Sequence, residues 1–463
     1  MTLIKNLKAL LGEKGWIMPP DTQSWERDWL NKFGERSLGV ARPTSSDEVS
    51  QIISLCRAAD VPVVPQGGNT GLVGGSVLNR PGGVILSMSR MDKIGVPDIE
   101  SGTIEVEAGV VLSRLHQCLD HTGVMFPMHL GAEGSAQIGG LISTNAGGSH
   151  AFRYGMMQDL VLGLEVVLPD GSIWSGMRRV QKDNSGYQLR KLFCGAEGSL
   201  GVVTKAILKL LPEPTQNITA LFAVPNIDAA CRLATNCHRQ AGELLSALEF
   251  FSDFGLELAL EHIPSLTFPL ESRGSFYLLL EAGSGSPLVP LGEIVSSIMN
   301  HGVANGLVYD GVQAGSETQR RALWRLREEQ PEGQRLAGTQ LKHDISVPRG
   351  LVAEFLRCAD AICQAAVPGI RANAFGHLGD GNIHYNLSPP AGSDGFNSNE
   401  EVIALSLSKL ALQLGGSFAA EHGLGQSKSL LAIALQSSTE RKCMTSIKNA
   451  LDTTGFLNPS SFV

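Results

Sequence analysis

The stretch PQGGNTGLVGGS (residues 65–76) decides how this chain is read. It follows the short apolar run VPVV, which reads as a buried strand, and it places five glycines between positions 67 and 75. Without a Cβ, glycine lets consecutive backbone N–H groups converge on one anion at close range. Asn69 and Thr70 can add side-chain hydrogen bonds. Alone, such a segment is equally well a flexible turn. Two further glycine-rich stretches follow, HLGAEGSAQIGGLISTNAGGSHAFRYG (129–155) and GAEGSLGVVT (195–204). Three clusters in one half of a chain argue for an extended cradle around a phosphate-bearing ligand. Neither G-x-G-x-x-G with an acid about 20 residues on nor G-x-x-x-x-G-K-[ST] occurs, which argues against a Rossmann dinucleotide site and a P-loop ATPase.

Working outward, the 463 residues suit two or three domains, and 43% hydrophobic content excludes a disordered chain. The net charge of −8 and the absence of a polybasic run speak against nucleic-acid or membrane-surface binding. Residues 134–152 lack Asp, Glu, Lys and Arg but are rich in Gly, Ser and Asn, so they are no membrane span, and none is expected elsewhere. MTLIKNLKALLGEKGW at the start reads as an amphipathic helix and not a signal peptide. Eight cysteines without a C-x-x-C read as reduced thiols, suiting a bacterial cytoplasm or, in a eukaryote, the mitochondrial matrix.

Apolar spacing predicts a helix over 46–59 capped by Ser45 or Ser46, strands over 82–89 and 102–110, and a helix over 111–123 closed by Gly. Residues 160–174 read as a hairpin turned at Pro169-Asp170-Gly171. Near residue 212 the glycine clusters stop. Helices near 227–240, 288–301, 317–330 and 349–366 then alternate with strands near 244–251, 275–282, 341–347 and 370–387. That alternation predicts a sheet with helices on one face, and residues 401–463 read as mostly helical. The fold class is α+β.

The second half carries the chemistry. In GHLGDGNIHYN (376–386), Asp380-Gly381 predicts a two-residue hairpin loop that sets His377 opposite His384, with Asn386 on the same face. Two adjacent imidazoles are what two ligands of one metal require, although two unrelated surface histidines would look the same. In AAEHGLGQSK (419–428), Glu421 offers a carboxylate ligand and His422 an imidazole base. Neighbours in a strand point to opposite faces, so both serve one site only if the chain turns at Gly423 or substrate lies between them. In LWRLREEQ (323–330), Arg325 and Arg327 cannot share a helix face, so one of them is solvated. Lys342, in an apolar strand, needs a partner: a substrate carboxylate or Asp344.

Together these segments resemble the FAD-linked 2-hydroxyacid dehydrogenases of the vanillyl-alcohol-oxidase/PCMH type, with the branch acting on D-2-hydroxyglutarate the nearest likeness. Order and spacing hold from about Val40 to Pro459. The resemblance implies a PCMH-type FAD-binding domain over 1–212, an α+β substrate domain over 213–415 with its sheet covered by helices, and a closing segment over 416–463. It implies that Pro65, Gln66, Gly67, Gly68, Asn69, Thr70, Gly71, Gly74, Gly75 and Ser76 hold the pyrophosphate. Gly131, Gly134, Ser135, Gly139, Gly140, Thr144, Asn145, Gly147, Gly148, Arg153, Tyr154 and Gly155 would line the rest of the cofactor, with Glu197, Gly201, Val202 and Val203. His377, His384 and Glu421 would hold a divalent metal, usually Zn2+. Arg327, Lys342, Asn386 and His422 would contact substrate, His422 acting as the catalytic base while hydride passes to flavin N5.

The implied substrate is a small D-2-hydroxyacid. The electron acceptor is left open among an electron-transfer flavoprotein, a quinone and a dye-like acceptor, and a homodimer is compatible. Pro331 stands where the hydroxyglutarate branch has a substrate-binding Thr, so D-lactate, glycolate and D-malate stay open as substrates. A flavin subunit of a larger electron-transfer complex is a further alternative. An inert binding module would not need the set His377, His384, Glu421 and His422.

Overall fold

The computed structural model describes residues 2–459 and Ser461. The chain divides into two units. One comprises Met1–Gly148, Gly155–Pro212 and Glu421–Val463, the other Ser149–Tyr154 and Glu213–Ala420.

The first unit holds two four-stranded sheets. In one, Gly39–Ala41 and Val63–Gln66 flank Val84–Ser87 in parallel, with Trp16–Ile17 added antiparallel. The helix Ser46–Ala58 links the first two of these parallel strands. Ser45 caps it by accepting from Glu48 N, while the Glu48 carboxylate accepts from Thr44 N at 2.6 Å. Such a cap is worth about 1 kcal/mol. Val40, Val64, Leu78 and Ile85 close the core between them. The second sheet is antiparallel, in the order Thr103–Glu107, Val202–Lys209, Val161–Val167 and Ile173–Gly176. The last two form the predicted hairpin. The predicted helix after residue 111 ends at Leu119 with Asp120 as cap, not at a glycine; Gly123, at φ 77°, serves the turn that follows.

The second unit is built on a seven-stranded sheet in the order Asp310–Gln313, Gln216–Val224, Phe276–Ser284, Leu245–Ser252, Arg371–His377, Asn382–Ser388 and Asp344–Ser346, antiparallel throughout. Helices cover both faces, not one as the alternation suggested. On one face Leu256, Leu323, Trp324 and Leu326 pack against Leu221, Phe251, Tyr277 and Phe375. On the other, Met299 of the helix Leu291–Ala304 lies by Gly311 beside Phe222. The central strands are therefore buried on both sides, which is why they read as nearly unbroken apolar runs. Among the described residues no helix is long and apolar enough to cross a membrane.

Candidate active site

In the first unit the three glycine clusters line one open trough. Its walls include Pro65 to Gly71, Gly75, Ser76, Gly139, Gly140, Thr144, Glu197, Gly201, Val202, Val203 and His422. A Cβ at Gly71 or Gly140 would meet nothing within 4 Å and would project into this space. Gly68 is required for another reason. A Cβ there would lie 1.9 Å from the carbonyl oxygen of Ser135, so the first two clusters touch backbone to backbone. Gln137, missed in the sequence, lines the trough with a buried Oε1 that has no hydrogen-bond partner. An amide-rich trough with an orphaned polar atom fits a dinucleotide that carries phosphates and a polar ring.

Two residues of the trough wall also shape the loop. Asn69, at φ 54°, donates from Nδ2 to the Arg27 carbonyl at 2.7 Å and accepts from Ser76 Oγ at 2.7 Å. Gln66 donates from Nε2 to the Trp25 and Ser76 carbonyls at 2.9 Å. Others of the expected set lie outside the trough lining. Gly74, at φ 71°, packs on Phe33, and Gly148, at φ 86°, fits against the His129 carbonyl. Asn145, at φ 50°, caps the helix Ile138–Thr144. Gly131 and Gly134 border open space, and the Ser135 carbonyl abuts Gly68. Gly147 is buried, and Gly155, at φ 87°, sits against Asp159. Arg153 and Tyr154 belong to the second unit, where Arg153 donates to the Leu244 and Gly283 carbonyls at 3.3 and 3.0 Å and lies over the Tyr154 ring.

The segment 421–425 is tied into the first unit by Glu197. Its carboxylate accepts from Leu424 N at 2.7 Å and from Gly425 N at 2.9 Å. Burial pushes this carboxyl up, and the two N–H donors act in the opposite direction. The chain turns here, which is one of the two arrangements left open for the Glu-His pair. Gly423 has φ 76°, and a Cβ would lie 2.5 Å from Glu197 Oε1. The turn points His422 into the trough, while Glu421 accepts from Gly148 N at 3.1 Å.

In the second unit one sheet face gathers the polar residues. The hairpin register differs from the expected one. His377 pairs with Asn382, and His384 pairs with Phe375, because the loop spans 378–381 and not two residues. The slip is by two positions, so both imidazoles keep the same face and become diagonal neighbours, their centroids 5.6 Å apart. Asp344 is the cross-strand partner of His384. Asn386 lies on this face too and donates from Nδ2 to Gln334 Oε1 at 2.7 Å, both residues being buried.

Glu249, which the sequence reading passed over, organises this face. Its Oε1 lies 2.7 Å from His377 Nδ1, and its Oε2 accepts from Arg327 Nε at 2.8 Å. Arg327 is buried and lies over the Phe375 ring, whereas Arg325 is directed to Ser265 and Glu329 at the rim. The neighbouring acid Glu281 accepts from Arg320, Trp324 Nε1 and Thr219, and lies 3.3 Å from His150 Nε2. Burial alone would raise Glu281. The His150 hydrogen bond and charge, with Arg320, outweigh it and hold the carboxyl well below the usual range. A lone acid within an apolar strand run, as in LSALEFFS or FYLLLEAGS, is the signal that would have found both.

Lys342 is not inside a buried strand as expected. It is exposed, between the bridge residue Leu341 and His343. The Leu341–Leu387 and Asp344–His384 pairings frame it opposite Asn386, on the same face as His384. Glu332 feels its charge.

A glycine-lined dinucleotide trough in one unit, and in the other an antiparallel sheet bearing imidazole and guanidinium groups, define an FAD-dependent oxidoreductase. The chain belongs to the FAD-linked oxidase family: residues 37–176 match the FAD binding domain, and residues 213–461 match the C-terminal domain of FAD linked oxidases. It is 35% identical over 452 residues to the D-2-hydroxyglutarate–pyruvate transhydrogenase of Saccharomyces cerevisiae, covering 96% of this chain and 90% of the relative. It is 36% identical over 460 residues to the mitochondrial D-2-hydroxyglutarate dehydrogenase of Arabidopsis thaliana, covering 98% and 80%. Its fold matches that of substrate-bound p-cresol methylhydroxylase with a TM-score of 0.76 at 16% identity, covering 99% and 96% of the two chains.

The trough makes its own prediction. Gly68→Val should yield protein depleted of FAD, because the new side chain forces the two glycine loops apart; overpacking of this kind costs about 1–3 kcal/mol. Flavin content per chain, read from the absorption spectrum, checks it. Full flavin loading would show that the contact of Gly68 with Ser135 is not needed.

Proposed function

We propose that this enzyme oxidises D-2-hydroxyglutarate to the 2-oxoacid. The observation that carries the reading is the face on which Arg327, Asn386, His377 and His384 gather, with Lys342 in line at its rim. A dicarboxylic hydroxyacid needs two cationic grips, and this face offers a buried guanidinium and an exposed ammonium. The relatives' printed activities support the same substrate.

When bound, FAD supplies the two-electron acceptor and a divalent cation, of which Zn2+ suits the ligand set, supplies Lewis-acid polarisation of the α-hydroxyl. We assign its ligands as His377, His384 and Glu421. Glu249 engages Nδ1 of His377, so ligation by that ring would use Nε2, and a carboxylate behind the imidazole is the usual support for a metal-bound histidine. Arg327 holds a carboxylate through its fork, and Lys342 acts as a point charge. Asn386 orients the substrate. His422 takes the hydroxyl proton as the hydride leaves Cα, a task suited to imidazole near neutral pH. We place the reaction in an aqueous reducing compartment, which suits eight free cysteines.

Anaerobic mixing with a panel of D-2-hydroxyglutarate, D-malate, D-lactate and glycolate tests the substrate. Flavin bleaching should be fastest with hydroxyglutarate. Faster bleaching with D-lactate would replace it as substrate, and bleaching by none would overturn the reading. Arg327→Ala and Lys342→Ala should each raise KM for the best substrate roughly 10- to 100-fold, the loss of one charge-assisted pair. Unchanged KM in both variants would show that those cations are structural. A panel of electron-transfer flavoprotein, quinone analogue and pyruvate as second substrate identifies the acceptor.

A further inference from the structure

Away from the trough, three ligand-bearing side chains of the first unit converge. His116 sits on the helix Leu112–Leu119, and His129 and Glu133 open the second glycine-rich stretch. One ligand atom from each lies within 4.8 Å of the other two. Glu133 Oε2 is 3.2 Å from His129 Nδ1 and 3.8 Å from His116 Nδ1, and the two rings are 4.7 Å apart, tilted by 38°. Around a tetrahedral ion with bonds of about 2.0–2.1 Å, donor atoms sit roughly 3.3–3.4 Å apart. The two edges to Glu133 bracket that spacing, and the third, between the two imidazoles, is within 4.8 Å.

The backbone holds the geometry. Ser113 N donates to Glu133 O at 3.0 Å and Leu112 N to Ala136 O at 2.9 Å, fixing the helix against the segment that carries the other two ligands.

We propose that His116, His129 and Glu133 form a second metal site that takes a divalent transition cation of the Zn2+ type. Two imidazoles and one carboxylate select such an ion over Mg2+ or Ca2+, which prefer all-oxygen shells. The side chains of His129 and Glu133 are 45% and 42% exposed, so water can fill the remaining coordination positions. The site lies just before Ala136, Gln137 and Gly139 of the trough wall. It does not depend on the substrate or on the ligand set proposed above.

The test is equilibrium dialysis of the full-length flavoprotein against Zn2+, with metal counted by mass spectrometry and FAD counted by absorbance. His116→Ala, His129→Ala and Glu133→Gln should each bind one Zn2+ per chain fewer than the parent while retaining FAD. Zn2+ should raise Tm more in the parent than in the variants, and Mg2+ should reproduce neither effect. Substitution at the half-exposed His129 and Glu133 keeps the test valid if His116→Ala fails to fold. If His129→Ala and Glu133→Gln bind as many Zn2+ ions as the parent, the cluster is only a hydrogen-bonded one and the proposal falls.

Discussion

His422→Ala should lower kcat by about 10²–10⁴-fold while FAD and metal content stay at parental levels, the loss typical of a missing general base. The imidazole lines the cofactor trough, turned there by Gly423 and held by the Glu197 contacts to Leu424 and Gly425. Removing it takes away a proton acceptor without disturbing that anchor. His377→Ala and His384→Ala should behave differently and lose metal and activity together, each having removed one of three assigned ligands. Metal analysis beside anaerobic single-turnover reduction of the flavin separates the two outcomes. Loss of metal from the His422 variant, with retention in Glu421→Ala, would exchange the two roles.

Glu249→Ala should destabilise the enzyme by about 3–5 kcal/mol, because it leaves the Arg327 guanidinium buried without its counter-charge. Arg327 and Glu249 are 7% and 1% exposed, so water cannot repair the loss. Glu249→Gln separates position from charge. It keeps the shape and one hydrogen bond, and it should weaken metal affinity about 10- to 100-fold, the usual effect of losing a carboxylate behind a ligating imidazole. Its KM should rise as well, since the same carboxylate fixes Arg327. Chemical denaturation, Zn2+ titration and steady-state kinetics together check this. A Gln variant with parental metal affinity and KM would reduce Glu249 to a packing residue.

Much of the site could be read along the chain because each cluster is local. The same-face placement of His377 and His384, and the division of Arg325 and Arg327 between solvent and interior, follow from short-range geometry, whereas which arginine is buried and that the chain turns at Gly423 do not. The register of that hairpin did not, because an Asp-Gly pair marks a turn but does not fix how many residues the loop spans. The result survived because a slip of two residues preserves the face, whereas a slip of one would have reversed it. Covering helices on both sheet faces were missed for a related reason. A run such as LSALEFFS reports that a strand is buried, not which elements bury it.

Glycine spacing by itself pointed to a phosphate-binding cradle, and the order of short motifs, through the family resemblance it carries, implied the α+β class, the FAD and the chemical groups. Tertiary structure decided which group is committed to which partner. It set Asn69 and Gln66 to folding the first loop, Arg153 to the sheet of the second unit, and Glu249 to both His377 and Arg327. It also moved Lys342 to an exposed rim and brought His116 to His129 and Glu133. Those pairings join residues 13 to 130 positions apart. A hydrogen bond or ion pair depends on distances of a few tenths of an ångström, and only the packed backbone sets those.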